Sequence, residues 1–359
     1  MRALWQVRDN LHDHPGGDTV QVVRVAEAIR SIGVEVTIDP GGRLDPTGFD
    51  LLHLFHLDRP WENIPWAERA QNAGVPIAVS SIWWPQDEFD AKGRRGFQGQ
   101  LARLLGHRGY ASARGVQRSL AARLKGGPDR RIIVRAYAAA QRLLDLATVV
   151  LPNSPQEADA ILKKFSPVPR CIVVPNAADA GTYSLPDGRS PRRGVLCVGR
   201  LEPRKNQLAV LEALRGLDEP VTFIGGRGRF SGAYARRLDG YAGPGVSIEE
   251  ARPPAELAEA YRSSRVHVCA SWYETPGLVS LEAALCGCAI VSTDRGSPHW
   301  YLGDDAFYCD PRRPASIRSA VESALDRGPS NQLADRIRAR FNWQTAAEAT
   351  ADAYRSIGA

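Results

Sequence analysis

Residues 265–293 read RVHVCASWYETPGLVSLEAALCGCAIVST. RVHVCAS is a short β-rich apolar run, and WYETPG carries the turn residues Pro276 and Gly277. LVSLEAALCG is helix-like and closes at Gly287, and AIVST is a second β-rich run. Strand, loop, helix and strand in about 30 residues make a βαβ unit. Continuous Val and Ile runs predict a parallel sheet covered by helices on both faces. Glu274 sits in the loop, and Glu282 follows eight positions later as the only charge in GLVSLEAALCGCAIV. A lone carboxylate on an otherwise apolar helix is costly to bury unless something polar meets it. The helix start after Gly277 presents backbone N–H groups that attract anions. An anion site flanked by two carboxylates suits a ligand that is part anion and part polyol.

The same alternation extends outward in both directions. Strand candidates in the first half are ALWQV, VEVTID, LLHLF, PIAVSS, TVVLP and CIVVP. Those in the second half are GVLCVG, PVTFIG, VSIE, RVHVCAS, AIVST and AFYC. Helices are predicted at 18–32, 136–146, 156–164, 206–215, 255–263 and 278–286. The stretch 176–194, NAADAGTYSLPDGRSPRRG, is rich in Gly, Pro, Ser and charge and reads as a linker between two domains. A length of 359 residues also fits two domains. Ligands bind beyond the carboxyl ends of such strands, so a cleft between the halves is the expected site.

Apolar content is 43%, enough for two cores, and no run approaches the roughly 20 apolar residues of a membrane span. The expectation is a cytoplasmic protein, since MRALWQVRDN lacks a signal-peptide core. The six cysteines lie mostly in apolar runs and read as buried free thiols. Cys286-x-Cys288 has the wrong spacing for a zinc or redox motif, and the histidines show no metal-ligand spacing. Net charge is +6, and the surplus is local. Twelve basic residues between Lys92 and Arg135 face the single acid Asp129, which reads as a basic face or arm. Phe89, Phe97, Leu101, Leu104 and Leu105 interleave with that charge, as on a surface meeting a membrane or a lipid-linked acceptor. Nucleic acid is not expected, because the stretch holds no recognition motif.

Two further loops carry candidate chemistry. CVGRLEPRKN, 197–206, places Gly199, Arg200 and Lys205 between a strand and a helix, where the cations can reach a diphosphate. PGG, 15–17, places Gly16 and Gly17 at the start of a helix, where backbone can approach a phosphate or sugar. It lacks the G-x-G-x-x-G spacing of a dinucleotide site, which disfavours a dinucleotide-dependent oxidoreductase.

Taken together, VGRLEPRKN, the 255–293 stretch, FYCDP, LPNSPQEADAIL, VVPNAAD and the terminal FNWQTAAEATADAYRSI resemble the retaining nucleotide-sugar glycosyltransferases of family four, the group 1 glycosyltransferases. The resemblance covers most of the chain and is more specific in the second half. It implies the α/β GT-B architecture, two Rossmann-like parallel-sheet domains facing across a cleft. Residues 1–177 would form the acceptor-side domain and 178–342 the nucleotide-sugar domain, with the helix at 343–359 packing back on the first. Arg200 and Lys205 would hold the donor diphosphate, and Gly199 would turn the backbone there. Gly277, Leu278 and Val279 would meet the same phosphates at the helix start. Glu282 would bind the ribose, Glu274 the transferred sugar, and Gly16 and Gly17 would approach from the other domain.

Three departures from the family pattern stand out. ETPG replaces the common Glu-Gly-Phe-Gly, PIAVSSIWWP carries no histidine, and Trp300 stands near the place of a common acidic residue. The implied reaction moves a sugar from a nucleoside-diphosphate sugar to a hydroxyl of a glycan, lipid-linked or small-molecule acceptor. It needs no cofactor, and no metal is expected because fixed positive groups can stabilise the leaving diphosphate. A nucleotide-sugar epimerase and a non-catalytic nucleotide-sugar-binding protein on the same fold are the alternatives.

Overall fold

The computed structural model describes residues 1–13, 16–94, 96–124, 135–185, 191–227 and 232–358. Pro15 of the PGG loop, Arg95 and 125–134 of the basic stretch, and 186–190 of the linker lie outside the described residues. The chain divides into two compact units. The first holds Met1–Pro85, Leu101–Asn176 and Trp343–Ala359, and the second holds Gln86–Gln100 and Ala177–Asn342.

The first unit contains β1 (Arg2–Val7), α1 (Gly17–Ser31), β2 (Glu35–Pro40), β3 (Leu51–Phe55), α2 (Pro60–Asn72) and β4 (Ile77–Ser80). Next come α3 (Gly96–Leu124), α4 (Ala136–Leu146), β5 (Val149–Leu151) and α5 (Pro155–Lys164). The first residues of α3, up to Gln100, cluster with the second unit. The strands form one parallel sheet in the order β2-β1-β3-β4-β5. Every residue of β3, β4 and β5 is buried, which is why those segments read as unbroken apolar runs. The segment CIVVP, expected as a sixth strand, lies alongside β5 with one parallel bridge, Cys171 to Val150, and with Ile172 N–H and Val174 N–H donating to the carbonyls of Val150 and Pro152, each at 2.9 Å. A C-terminal helix, Trp343–Arg355, lays Ala346, Ala347 and Ala351 into the core that holds Val22, Val25 and Ile29 of α1. Small alanines let these helices approach closely, and Tyr354 Oη reaches Nδ1 of buried His53 at 2.5 Å.

The second unit contains β6 (Val195–Val198), α6 (Gln207–Ala213), β7 (Val221–Ile224), α7 (Gly232–Asp239), β8 (Val246–Glu249) and α8 (Pro254–Ser263). It continues with β9 (Val266–Cys269), α9 (Leu278–Leu285), β10 (Ala289–Thr293), α10 (Pro298–Leu302), β11 (Phe307–Cys309), α11 (Pro314–Arg327) and α12 (Asn331–Arg340). Its sheet is also parallel, in the order β11-β10-β9-β6-β7-β8. Two apolar cores cover its faces, one built around Phe223, Ile317 and Val321 and the other around Tyr261, Leu281 and Phe341. All six cysteines are free thiols, five of them buried.

A single boundary near residue 177 does not describe this division. Gln86–Gln100 was expected in the first domain but belongs to the second unit. The reason is local and strong. Glu88 pairs with Arg295 at 2.9 Å and with Arg312 at 3.4 Å, and Phe89 packs against Trp272 at a ring distance of 6.2 Å.

Candidate active site

Strand β6 begins its sheet in the middle. The chain then builds outward through β7 and β8 on one side before returning to lay β9 against β6 on the other. Such a reversal leaves a crevice where two consecutive loops diverge from neighbouring strands. Here those loops are 199–206 after β6 and 270–277 after β9, and they carry the residues singled out above.

The loops are stitched to each other. Asn206 adopts a left-handed conformation with φ of 61°, and its Nδ2 donates to the carbonyls of Ala270 at 3.1 Å and Pro311 at 2.8 Å. The amide of Trp272 donates to the carbonyl of Arg204 at 2.9 Å. This brings Lys205 Nζ to 2.5 Å from Glu274 Oε1. Arg204 Nη1 lies 3.7 Å from the same oxygen and donates to the Tyr273 carbonyl at 3.2 Å. The Arg204 guanidinium also stands over the Tyr273 ring at 5.3 Å. Glu202 Oε1 accepts from Arg204 Nε at 3.2 Å and from Arg200 Nη2 at 3.5 Å.

Glu274 is only 6% exposed. Burial alone would raise its pKa, but Lys205 and then Arg204 override this and hold it down at about 2. The carboxylate is therefore charged at any ordinary pH. The Cys269 thiol donates to Glu274 Oε1 at 3.5 Å, and burial pushes that thiol up to about 11, so it stays neutral. The backbone of Glu274 is gripped as well. Its N–H donates to the Arg295 carbonyl at 3.2 Å, and its carbonyl accepts from Ser297 N–H at 2.9 Å. Gly296 passes so close that a Cβ there would lie 1.9 Å from the Glu274 carbonyl oxygen.

Gly277 caps α9 with φ of 71° and ψ of 50°, a conformation that a side chain disfavours. Leu278 and Val279 follow as the first helical residues, and the opening amides of a helix have no partner within it. One turn on, Glu282 is half-buried and accepts from Tyr261 Oη at 3.3 Å. Burial raises its pKa to about 7. Two carboxylates eight residues apart are thus tuned in opposite directions. Gly199 follows β6, and a Cβ there would stand 3.3 Å from Lys205 Cε.

The structure brings Gly199, Lys205, Glu274 and Gly277 into one constellation and places Glu282 on the helix that leaves it. Arg200 stands at its edge with its side chain 53% exposed. Lys205, expected with Arg200 to hold a diphosphate, is engaged by Glu274. Gly16 and Gly17 lie in the first unit, at the cap and first residue of α1, and the Gly16 amide donates to Thr19 Oγ1 at 3.1 Å. Arg204, Tyr261 and Arg295 were not singled out from the sequence. Arg204 had a legible signal, because it adjoins Lys205 inside the same charged loop. Tyr261 and Arg295 carry no local signal, since each meets its carboxylate or its loop only through the tertiary fold.

This part of the chain matches a family model, "Glycosyl transferases group 1", over residues 192–327. Residues 192–327, under half of the chain, resemble the group 1 glycosyl transferases. The matched segment contains Arg200, Lys205, Glu274 and Glu282. The D-inositol 3-phosphate glycosyltransferase of Paenarthrobacter aurescens is 29% identical over 243 residues, spanning 60% of this chain and 59% of that protein. The chain thus matches about three-fifths of such a relative's length. Sucrose-phosphate synthase from Thermosynechococcus elongatus superposes with a TM-score of 0.78 over 99% of both chains at 17% identity. Anabaena HepE, crystallised with UDP and glucose, superposes with a TM-score of 0.72 over 99% of this chain and 100% of its own, at 14% identity. At these identities the likeness is one of fold, and it is the α/β GT-B fold expected from the sequence.

Proposed function

We propose that the protein is a retaining glycosyltransferase that moves a sugar from a nucleoside-diphosphate sugar to an acceptor hydroxyl. The observation that carries this reading is the buried, permanently charged Glu274, held by Lys205 and Arg204 beside the N-terminus of α9. The constellation offers fixed positive charge for a leaving diphosphate and a carboxylate for sugar hydroxyls. Arg200, Lys205 and the amides of Leu278 and Val279 neutralise the diphosphate as it departs. Glu274 binds the transferred sugar, and Glu282 binds the ribose. Gly16 and Gly17 approach the donor. The acceptor oxygen attacks on the face the diphosphate leaves, and the leaving phosphate oxygen takes its proton. Neither a metal nor another cofactor is required, because the cations and helix start already supply the positive charge. The matched segment and the fold shared with a UDP- and glucose-bound protein support a nucleotide-sugar donor.

A thermal-shift series with UDP, GDP, ADP and TDP tests the reading, since a ligand of the native state raises its stability. The nucleotide that binds then selects the donor sugar. Release of nucleoside diphosphate that depends on an acceptor, with the anomeric configuration kept, is the expected result. Interconversion of the sugar without acceptor identifies an epimerase instead, and binding without turnover identifies a non-catalytic binding protein.

We assign the acceptor to cytoplasmic glycan or glycoconjugate synthesis at the inner face of a membrane, with helix α3 as the contact. The 29 residues of α3 contain five arginines and no acid. Leu104 is 82% exposed with exposed Arg103 next to it, and past the kink at Gly106 Arg108 and Leu124 are exposed too. Arg94 is no part of that surface, because Asp90 and the Phe89 ring hold it. Changing Arg103 and Arg108 to Gln should weaken cosedimentation with anionic liposomes, with donor hydrolysis unchanged. A wild-type protein that ignores such liposomes would overturn the assignment.

A further inference from the structure

The segment that leaves β4 has a role the sequence did not suggest. Gln86–Gln100 clusters with the second unit, and its first turns reach both supports of Glu274. One support is the Trp272 side of the loop. Phe89 is buried against Trp272, and Gly93 passes so close that a Cβ would lie 2.4 Å from the Phe89 ring and 2.6 Å from the Trp272 ring. Arg94 stands over the Phe89 ring at 4.5 Å and bonds to buried Asp90 at 2.5 Å, which fixes the turn. Trp272 in turn donates its amide to Arg204, two residues before Glu274.

The other support is Arg295, whose carbonyl accepts the Glu274 amide. Glu88 grips the Arg295 side chain at 2.9 Å and the Arg312 side chain at 3.4 Å. Arg312 is bonded at 2.5 Å to Asp310, which lies 3.6 Å from Arg295. The segment therefore reaches Glu274 by two separate routes, one through an aromatic ring and one through an ion-pair network. Glu88 acts through Arg295 and Phe89 through Trp272, each of which holds the backbone of the loop that carries Glu274.

We infer that Glu88 and Phe89 are positioning residues that clamp the Glu274 loop from both sides and set its carboxylate against Lys205. This rests on the glycosyltransferase reading only for its consequence in turnover. The clamp itself concerns the loop.

Amide hydrogen exchange on the full chain separates the two. In Phe89→Ala and Glu88→Ala, exchange at Trp272 and Glu274 should rise at least tenfold, while exchange in α8 stays within twofold. Phe89→Leu and Glu88→Asp should restore protection. Turnover of the nucleotide sugar selected by the thermal-shift series should fall at least tenfold in the alanine variants, with UDP or its selected counterpart binding within twofold of wild type. Melting temperatures distinguish local from general loosening. Unchanged exchange at Trp272 and Glu274 would overturn the clamp, as would equal acceleration throughout the second unit. Altered exchange in a protein that turns over no nucleotide sugar would uphold the clamp and overturn the function instead.

Discussion

Each unit buries a glutamate at the carboxyl edge of its sheet, and the two are held by opposite means. Glu157, in the first turn of α5, is fully buried and is met by donors rather than cations. It accepts from Trp83 N–H at 2.8 Å, from Asn153 N–H at 3.1 Å and from the Ser81 hydroxyl. Burial outweighs those bonds and raises its pKa to about 7. Glu274 is buried almost as deeply, but Lys205 and Arg204 hold it at about 2. Amide and hydroxyl donors tie the loop after β4 to the loop after β5, which is a structural stitch. A pair of cations preserves a charge inside the protein, which suits chemistry. The comparison teaches that the company a buried carboxylate keeps decides its task, more than its depth does.

The largest expected effect is on turnover. Glu274→Gln should lower kcat about 100-fold or more, equivalent to roughly 3 kcal/mol, while nucleoside-diphosphate affinity stays within a few-fold. Calorimetric titration beside steady-state kinetics measures both. A tenfold loss of affinity with normal turnover would place Glu274 on the nucleotide and break the contrast with Glu157.

Glu157→Ala should instead cost stability, on the order of 3 kcal/mol in denaturant unfolding, because it strands several buried donors. The two carboxylates also predict opposite pH limbs. The folded-state pKa of Glu157 lies above the ordinary 4.5, so its contribution is full below pH 4.5 and is lost as pH rises through 7. That of Glu274 lies below 4.5, so its contribution is full above pH 4.5 and is lost as pH falls through 2. Each shift corresponds to roughly 3 kcal/mol. Melting temperature against pH should lose its neutral limb in Glu157→Gln and its acid limb in Glu274→Gln. Flattening of the same limb by both changes would erase the distinction.

Lys205→Ala should weaken diphosphate binding by about 1.5–3 kcal/mol and bare nucleoside binding much less. Arg200→Ala should act in the same direction but more weakly, about 1 kcal/mol, because its exposed side chain is screened by water. Equal losses for nucleoside and diphosphate would remove both residues from the phosphate. The smallest expected effect is none: excess EDTA should leave turnover unchanged, and abolition restored by magnesium or manganese would contradict the metal-free reading.

Much of this architecture was legible residue by residue. β3, β4 and β5 are short unbroken apolar runs, and buried parallel strands need nothing else. The loop that bears Glu274 was legible because Pro276 and Gly277 interrupt one such run and an apolar helix resumes it. CIVVP carries the same composition and runs beside β5, where its short bonded stretch forms one bridge and a few backbone bonds rather than a full strand. Glu157 went unnoticed among ordinary helix-start residues, since a carboxylate in a first turn usually serves the helix dipole in solvent. Only its burial by the loops after β4 and β5 sets it apart.

The sequence by itself determined the two parallel-sheet units, the glycine that opens α9 and the presence of acids and bases in the loops after β6 and β9. Those features follow from local preference and hydrophobic period, which act over a few residues. Tertiary structure decided which charge meets which. Lys205 and Glu274 stand 69 positions apart, and only the pairing of β6 with β9 brings their loops together. Glu88 and Arg295 are separated by 207 positions, and no local pattern links them. Ion pairing acts through space and depends steeply on distance and burial, so it becomes specific only once the strands have found their neighbours.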